Sequence, residues 1–344
     1  MQAMVLKKIG LLRENEERLA LENLAVPQPA ENELLIRVSA CGVCHTELDE
    51  IEGRTPPPRL PVVLGHQVIG RIHTVGAKVT FFQPGDRVGV GWIFSACGSC
   101  RFCRTGNENL CPDFKATGRD FHGGYAEYMT APESSCFAIP DIFSDIEAAP
   151  LLCAGAIGFR SLRLTGLTNG MTLGLCGFGA SAHLVLHLAR HLFPASRIFV
   201  FARSVNEQKF ALALGATWAG DIGDKPPLEI DRIIDTTPAW KPVITSLAAL
   251  SPGGRLVINA IRKEEADKNV LLQLDYPAHL WQEKEIKSVA NVSRTDIRQF
   301  LELAAAIPIR PEVRKFALRD ANIALAELKA RNIRGAKVLF MHPG

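Results

Sequence analysis

The texture of hydrophobic and polar positions changes along the chain. Up to about residue 150 apolar residues alternate with more polar ones over short stretches, as at Leu34, Ile36 and Val38. Turn formers punctuate that half: Pro56, Pro57 and Pro58, then Gly65, Gly70, Gly76, Pro84 and Gly85. Period-two alternation broken this often predicts many short strands and a mostly β half. From about residue 155 the pattern differs: 171–176 is apolar and runs into glycines, 181–192 has helical periodicity, and 198–201 is β-branched and aromatic. A second helical stretch, 206–214, and short apolar runs at 232–235 and 255–259 complete a β-α-β alternation, which predicts an α/β fold with a doubly wound parallel sheet. Past about residue 290 two further helices are expected, 296–306 and 319–330, with Asp320 at an N-cap position and Gly335 beyond the C-terminal end.

Composition narrows the class. At 344 residues, with 47% hydrophobic and 22% charged side chains, the chain has material for about two domains at ~150 residues each. Its 39 basic and 36 acidic residues leave a charge of +3, which argues against nucleic acid as a partner. No apolar run reaches the ~18 residues of a membrane span, and the first ten residues lack a signal-peptide pattern, so a cytoplasmic protein is expected.

Cysteine changes the picture more. There are nine, an odd number, and Cys97, Cys100, Cys103 and Cys111 follow the spacing C-x2-C-x2-C-x7-C, with Gly98 and Gly106 letting the loop fold back. Four thiolates close a tetrahedral shell around Zn2+ and leave no position for substrate, so this site reads as structural. Iron–sulfur ligation is one alternative, since Pro112 follows Cys111, although the cluster motif places its fourth cysteine after three residues rather than seven. Unligated thiols are the other. Cys41, Cys136 and Cys176 read as core residues, and His183, His187 and His191 as one helix face without acidic or cysteine companions.

Three more candidate ligands stand apart: Cys44 in Cys-Gly-Val-Cys-His-Thr, His66 in Gly-His-Gln and Cys153 in Pro-Leu-Leu-Cys-Ala-Gly. Singly, each is more often a packed core residue than a ligand. Their combination with other segments carries the case. Gly42-Val-Cys-His-Thr-Glu47, Leu64-Gly-His-Gln67, Pro84-Gly-Asp-Arg-Val88, the four-cysteine lobe, Gly123-Gly-Tyr-Ala-Glu127, Leu152-Cys-Ala-Gly155 and Gly177-Phe-Gly-Ala-Ser-Ala182 occur in the order seen in one family. On these motifs the chain resembles the zinc-dependent medium-chain alcohol dehydrogenases over nearly its whole length.

The resemblance implies a catalytic Zn2+ held by Cys44, His66 and Cys153 with a fourth position open, beside the structural ion of the four-cysteine lobe: two Zn2+ per subunit. Thr46 matches the hydroxyl that bonds the substrate oxygen, and Glu47 the acid that orients the ligating histidine, where many relatives carry Asp. Gln67 replaces a glutamate common after that histidine, and Asp49 replaces a relay histidine found in some relatives; His45 is a candidate substitute. Trp92 and Ile93 are placed by the resemblance at the substrate pocket, and Lys337 near a cofactor phosphate.

Gly177, Gly179 and Ala182 form G-x-G-x-x-A between a strand and a helix, with Ala180 opening that helix. Gly177 permits the tight turn, Gly179 lets a pyrophosphate approach the backbone, and Ala182 allows close packing. The next strand ends Phe201-Ala202-Arg203-Ser204, without the carboxylate that an NAD enzyme uses on its ribose; Arg203 and Ser204 favour a 2'-phosphate, hence NADP(H), with NAD(H) left open.

The expected enzyme therefore has a GroES-like β-rich catalytic domain over 1–154 and 291–344, including a zinc lobe at about 92–113, and a Rossmann domain over 155–290. The reaction expected is reversible hydride transfer between a primary or secondary alcohol and the nicotinamide, yielding an aldehyde or ketone, in a homo-oligomer (dimer or tetramer). Polyol dehydrogenation is the rival reaction, disfavoured because those relatives usually carry a carboxylate at the Cys153 position, and a non-catalytic zinc-binding relative is the other alternative.

Overall fold

The computed structural model describes residues 1–13, 16–307, 309–330 and 335–341. The chain divides into two compact units, Met1–Ala156 with Val292–Gly344, and Ile157–Asn291. No helix among the described residues is long and apolar enough to cross a membrane.

The first unit is built on a seven-stranded sheet ordered Cys136–Ala138, Arg87–Val90, Val68–Val75, Glu33–Val43, Ala336–Phe340, Val313–Ala317, with Tyr128–Pro132 also pairing to Glu33–Val43. The Leu34, Ile36, Val38 alternation marks its central strand, which has Arg37 exposed but is buried at every position from Ala40 to Val43. Each of these side chains contributes about 1.5–3 kcal/mol by leaving water. That strand runs antiparallel to Val68–Val75 with Cys41 opposite Val68, so residue 44 at one strand's exit and residue 66 at the other's entrance are neighbours. Gly89, in Arg87–Val90, has no side chain where the Leu152 methyl sits 2.8 Å from a would-be Cβ. This close approach seats the Ala149–Leu152 turn, and with it Cys153, against the sheet. A two-stranded ribbon, Ile93–Ser95 with Lys115–Ala116, opens and closes the four-cysteine lobe.

The second unit is a six-stranded parallel sheet in the order Trp218–Gly220, Arg197–Phe201, Thr172–Cys176, Ile230–Asp235, Leu250–Ile258, Glu285–Ser288. Numbered along the chain this is 3-2-1-4-5-6, the doubly wound order whose direction reverses between the first and fourth strands. Thr172–Cys176 is buried at every position and Arg197–Phe201 at all but its first, as strands covered on both faces must be. The helices that follow, Ala180–Leu192 and Val205–Ala213, lie within a residue of their expected limits. The helix expected over 296–306 begins two residues earlier, at Arg294, because Ser293 and Asp296 form a reciprocal capping box. Asp320 does precede the Ala321–Lys329 helix, but its side chain makes no cap hydrogen bond.

Candidate active site

Cys44 ends the central strand in extended conformation and caps the His45–Ile51 helix. Its sulfur accepts the Thr46 amide at 3.4 Å, and its own amide donates to Glu47 Oε2 at 2.8 Å. The other Glu47 oxygen lies 2.6 Å from Nδ1 of His66, a close contact whose N–H alignment falls short of a straight hydrogen bond. One buried carboxylate thus fixes both a cysteine backbone and a histidine ring. His66 presents Nε2 to two sulfurs, 3.7 Å from Cys44 Sγ and 3.4 Å from Cys153 Sγ. All three donor atoms fall within 4.8 Å of one another.

That triangle suits a tetrahedral zinc. Bond lengths of about 2.3 Å to sulfur and 2.0–2.1 Å to nitrogen give an S···N edge of about 3.6 Å. The donor chemistry agrees, since two thiolates this close to one imidazole nitrogen need a cation between them. Without one, Cys44 is held well above the usual thiol range by its hydrogen bond with Cys153, by burial and by the Glu47 charge. Burial alone would lower the His66 pKa, but the charges of Glu47 and Cys44 override it and raise the ring well above the ordinary histidine value.

The four-cysteine lobe closes in the same manner. Sulfur separations are 3.5 Å for Cys97–Cys111, 3.6 Å for Cys100–Cys103 and 3.9 Å for Cys97–Cys103. The tetrahedral S···S edge around zinc is about 3.8 Å. Amides of Cys100, Cys103 and Cys97 donate to sulfurs of Cys97, Cys100 and Cys111. Hydrogen bonds, led by the Cys100 amide, pull the Cys97 pKa down to about 6, whereas burial and then the Cys100 thiol push Cys103 up to about 12. Gly98 and Gly106 take the left-handed conformation at φ +74 and +70, as the folded-back loop requires. Four sulfurs gathered this tightly suit a single ion rather than a multi-iron cluster.

Gly177 follows its strand at φ +81, and a Cβ there would lie 2.8 Å from Thr236 Oγ1. Gly179 caps the Ala180–Leu192 helix with no side chain accepting the first-turn amides, which leaves them for an anion. Ala182 is buried, as close helix packing demands. Arg203 is exposed just past the second strand. Ser204 has a local duty: its hydroxyl accepts the Glu207 amide at 3.1 Å and caps the Val205–Ala213 helix.

The other expected residues fall as follows. Lys337 is buried in the sheet with Nζ donating to Glu327 at 2.8 Å, an internal ion pair rather than a free ammonium. Asp49 is held by Arg54, whose Nε donates to it at 2.6 Å, and His45 is exposed. Gln67 packs over Gly42, where a Cβ would lie 2.6 Å from its Oε1. Ile93 is buried, while half-buried Trp92 rests on Phe114 with ring centroids 4.9 Å apart and the Arg119 guanidinium 5.6 Å from its own. His183 donates its Nδ1–H to the Gly179 carbonyl at 3.1 Å, and burial lowers its pKa to about 4, so it serves as a packed core residue; His187 on the same face is half-buried and His191 exposed.

Two features went unread in the sequence. Glu50 is fully buried with neither carboxylate oxygen hydrogen-bonded among the described residues, and burial, then the Glu47 charge, pushes its pKa well above the carboxylate range. Its i, i+3 spacing from Glu47 on a helix was the available signal. Glu108, inside the zinc lobe, accepts the Arg294 amide at 2.7 Å and so ties the lobe to the Arg294–Ala306 helix. Nothing local in the sequence marks that pairing.

The model of the alcohol dehydrogenase GroES-like domain matches residues 30–141. A probable alcohol dehydrogenase, AdhA, of Mycobacterium tuberculosis is 43% identical over 321 residues, 92% of this chain and 91% of that one. An alcohol dehydrogenase of Geobacillus stearothermophilus is 30% identical over 343 residues, 96% and 98% of the two chains. The solved cinnamyl alcohol dehydrogenase SbCAD4 of Sorghum bicolor superposes with a TM-score of 0.86 at 25% identity, covering 100% of this chain and 99% of its own. A GroES-like unit joined to a 3-2-1-4-5-6 parallel sheet defines the class, an oxidoreductase of the zinc-binding medium-chain type. The chain belongs to the alcohol dehydrogenases of that family, and its substrate is a small-molecule alcohol or carbonyl compound.

Proposed function

We propose that this enzyme interconverts a primary or secondary alcohol and its aldehyde or ketone with NADP(H) preferred, using one zinc at Cys44, His66 and Cys153 and a second, structural zinc in the four-cysteine lobe. When bound, zinc supplies Lewis acidity toward an alcohol or carbonyl oxygen, and the nicotinamide accepts or gives the hydride. Cys44 and Cys153 supply thiolates. His66 ligates as neutral imidazole through Nε2 while Glu47 keeps the proton on Nδ1. Thr46, on the first turn of the Cys44-capped helix, would accept the substrate hydroxyl proton at its Oγ1 while passing its own hydroxyl proton outward to solvent, and would run the same relay backwards in reduction. The Gly179-capped helix holds the pyrophosphate on its free amides, and exposed Arg203 pairs with the 2'-phosphate. Met1–Ala156 with Val292–Gly344 is the catalytic unit in this reading, and Ile157–Asn291 the coenzyme unit.

The observation that carries the reading is one imidazole nitrogen 3.4 and 3.7 Å from two sulfurs, backed by a buried carboxylate. A steady-state panel of short, branched and aromatic alcohols with NADP and NAD, alongside zinc content, tests it. Turnover with at least a tenfold preference for NADP and two zinc ions per chain is expected; metal-independent turnover or an NAD preference would overturn the corresponding part.

A homo-oligomer is supported by the Glu285–Ser288 strand, which ends the parallel sheet with all four residues exposed. Leu272, Tyr276, Trp281 and Ile286 are exposed in the same stretch of chain, and an edge strand flanked by exposed apolar side chains is a template for a second copy. A cytoplasmic location fits nine cysteines with no disulfide.

A further inference from the structure

Lys263 follows the fifth strand of the parallel sheet and buries its ammonium against the fully buried Asp235, which ends the fourth. It donates to Asp235 Oδ2, to the Thr237 carbonyl at 2.8 Å and to the Ala239 carbonyl at 3.0 Å. All three of its N–H groups therefore hold one loop, 235–239. The loop is bound from within as well: Asp235 Oδ1 accepts the Thr237 amide at 2.9 Å and its hydroxyl at 2.8 Å. Thr236 donates both its amide and its hydroxyl to the Cys176 carbonyl at 2.9 Å. Cys176 ends the first strand, and the next residue is Gly177. The two threonines form the wall of that turn: a Cβ at Gly177 would lie 2.8 Å from Thr236 Oγ1 and 3.1 Å from Thr237 Cγ2.

Stability alone does not account for this pair. A buried ion pair loses in desolvation most of what it gains in attraction, and apolar replacements are often neutral. Its location does account for it. The fourth and first strands flank the point where the strand order reverses, and ligands of such sheets bind outside the carboxyl ends there. We propose that Lys263 is a positioning residue for the dinucleotide, bracing the 235–239 loop against the Gly177 turn so that the phosphate-binding loop keeps its binding shape. The proposal rests on the dinucleotide reading given above.

The test compares wild type, Lys263→Arg, and the double variant Asp235→Asn/Lys263→Met, which removes both charges together. NADPH affinity is measured by nucleotide fluorescence, the melting midpoint without nucleotide, and the alcohol KM at saturating cofactor. The double variant is expected to melt within a few degrees of wild type, bind NADPH at least tenfold more weakly and keep its alcohol KM within twofold. Lys263→Arg, whose planar fork cannot place the same three bonds, is expected to weaken NADPH about threefold and carries the test should the double variant fail to fold. A folded variant with wild-type NADPH affinity overturns the positioning role alone. Wild-type protein that binds no nicotinamide nucleotide overturns the cofactor reading, and this one with it.

Discussion

Replacing Glu47 by Gln isolates its effect on the histidine. In the wild type Oε2 accepts the Cys44 amide at 2.8 Å while Oε1 faces His66 Nδ1 at 2.6 Å, both side chains being buried. A glutamine retains the first bond through its carbonyl oxygen, so the helix cap survives. Its amide NH2 then faces Nδ1, which must turn acceptor, and the proton moves to Nε2, where a metal ligand cannot carry it. Loss of such outer partners typically weakens metal binding about 10- to 100-fold, or about 1.4–2.7 kcal/mol. Zinc per chain after equilibration against a graded chelator reads this directly, and the four-cysteine lobe serves as an internal control. One of two zinc ions should leave at a free-zinc level at least tenfold higher than in wild type, with turnover falling in parallel. Glu47→Asp, shorter by a methylene, should lie between the two. If the Gln variant held both ions with wild-type affinity and kept its turnover, the orienting role of Glu47 would be refuted.

The remaining predictions concern the lobe, the cofactor and protons. Cys100→Ser should remove the lobe's metal and lower the melting midpoint while part of the turnover survives, whereas Cys44→Ser should abolish turnover in a folded protein; equal losses of turnover would contradict the division into structural and catalytic sites. Arg203→Ala should raise the KM for NADP about tenfold or more, as loss of a charge-assisted bond worth about 1.5–3 kcal/mol implies, and leave NAD within threefold. His66 has its pKa raised in the metal-free fold, so its contribution to stability is fully present below the unfolded value of about 6.5 and fades as pH rises through the folded one. Zinc must displace that proton and those on the thiols, so the gap between zinc-loaded and stripped melting midpoints should widen from pH 6 to pH 8; a gap independent of pH would contradict it.

Local spacing made much of this molecule legible. The four cysteines, the Gly177 turn and the strand–helix alternation of the second unit are each written within a few residues, and each forms as its chemistry suggests. Ser204 shows how a local signal can be read two ways: Ser-x-x-Glu is a capping box as much as a phosphate site, and the hydroxyl serves the helix. The seven-residue His45–Ile51 helix is too short to show a period, and its start depends on a cysteine cap. Lys337, placed by family position, pairs with Glu327 because its strand lies inside the sheet. Ion pairs across long separations, Glu108 with Arg294 and Asp235 with Lys263, leave no periodic trace at all.

The central claim is that Cys44, His66 and Cys153 together hold the ion at which the alcohol reacts. Diffraction at the zinc absorption edge from crystals of active enzyme tests it most directly. The account predicts an anomalous peak about 2.3 Å from both sulfurs and about 2.0–2.1 Å from His66 Nε2, with a second peak among the four lobe cysteines. Active crystals with a peak in the lobe alone would contradict it.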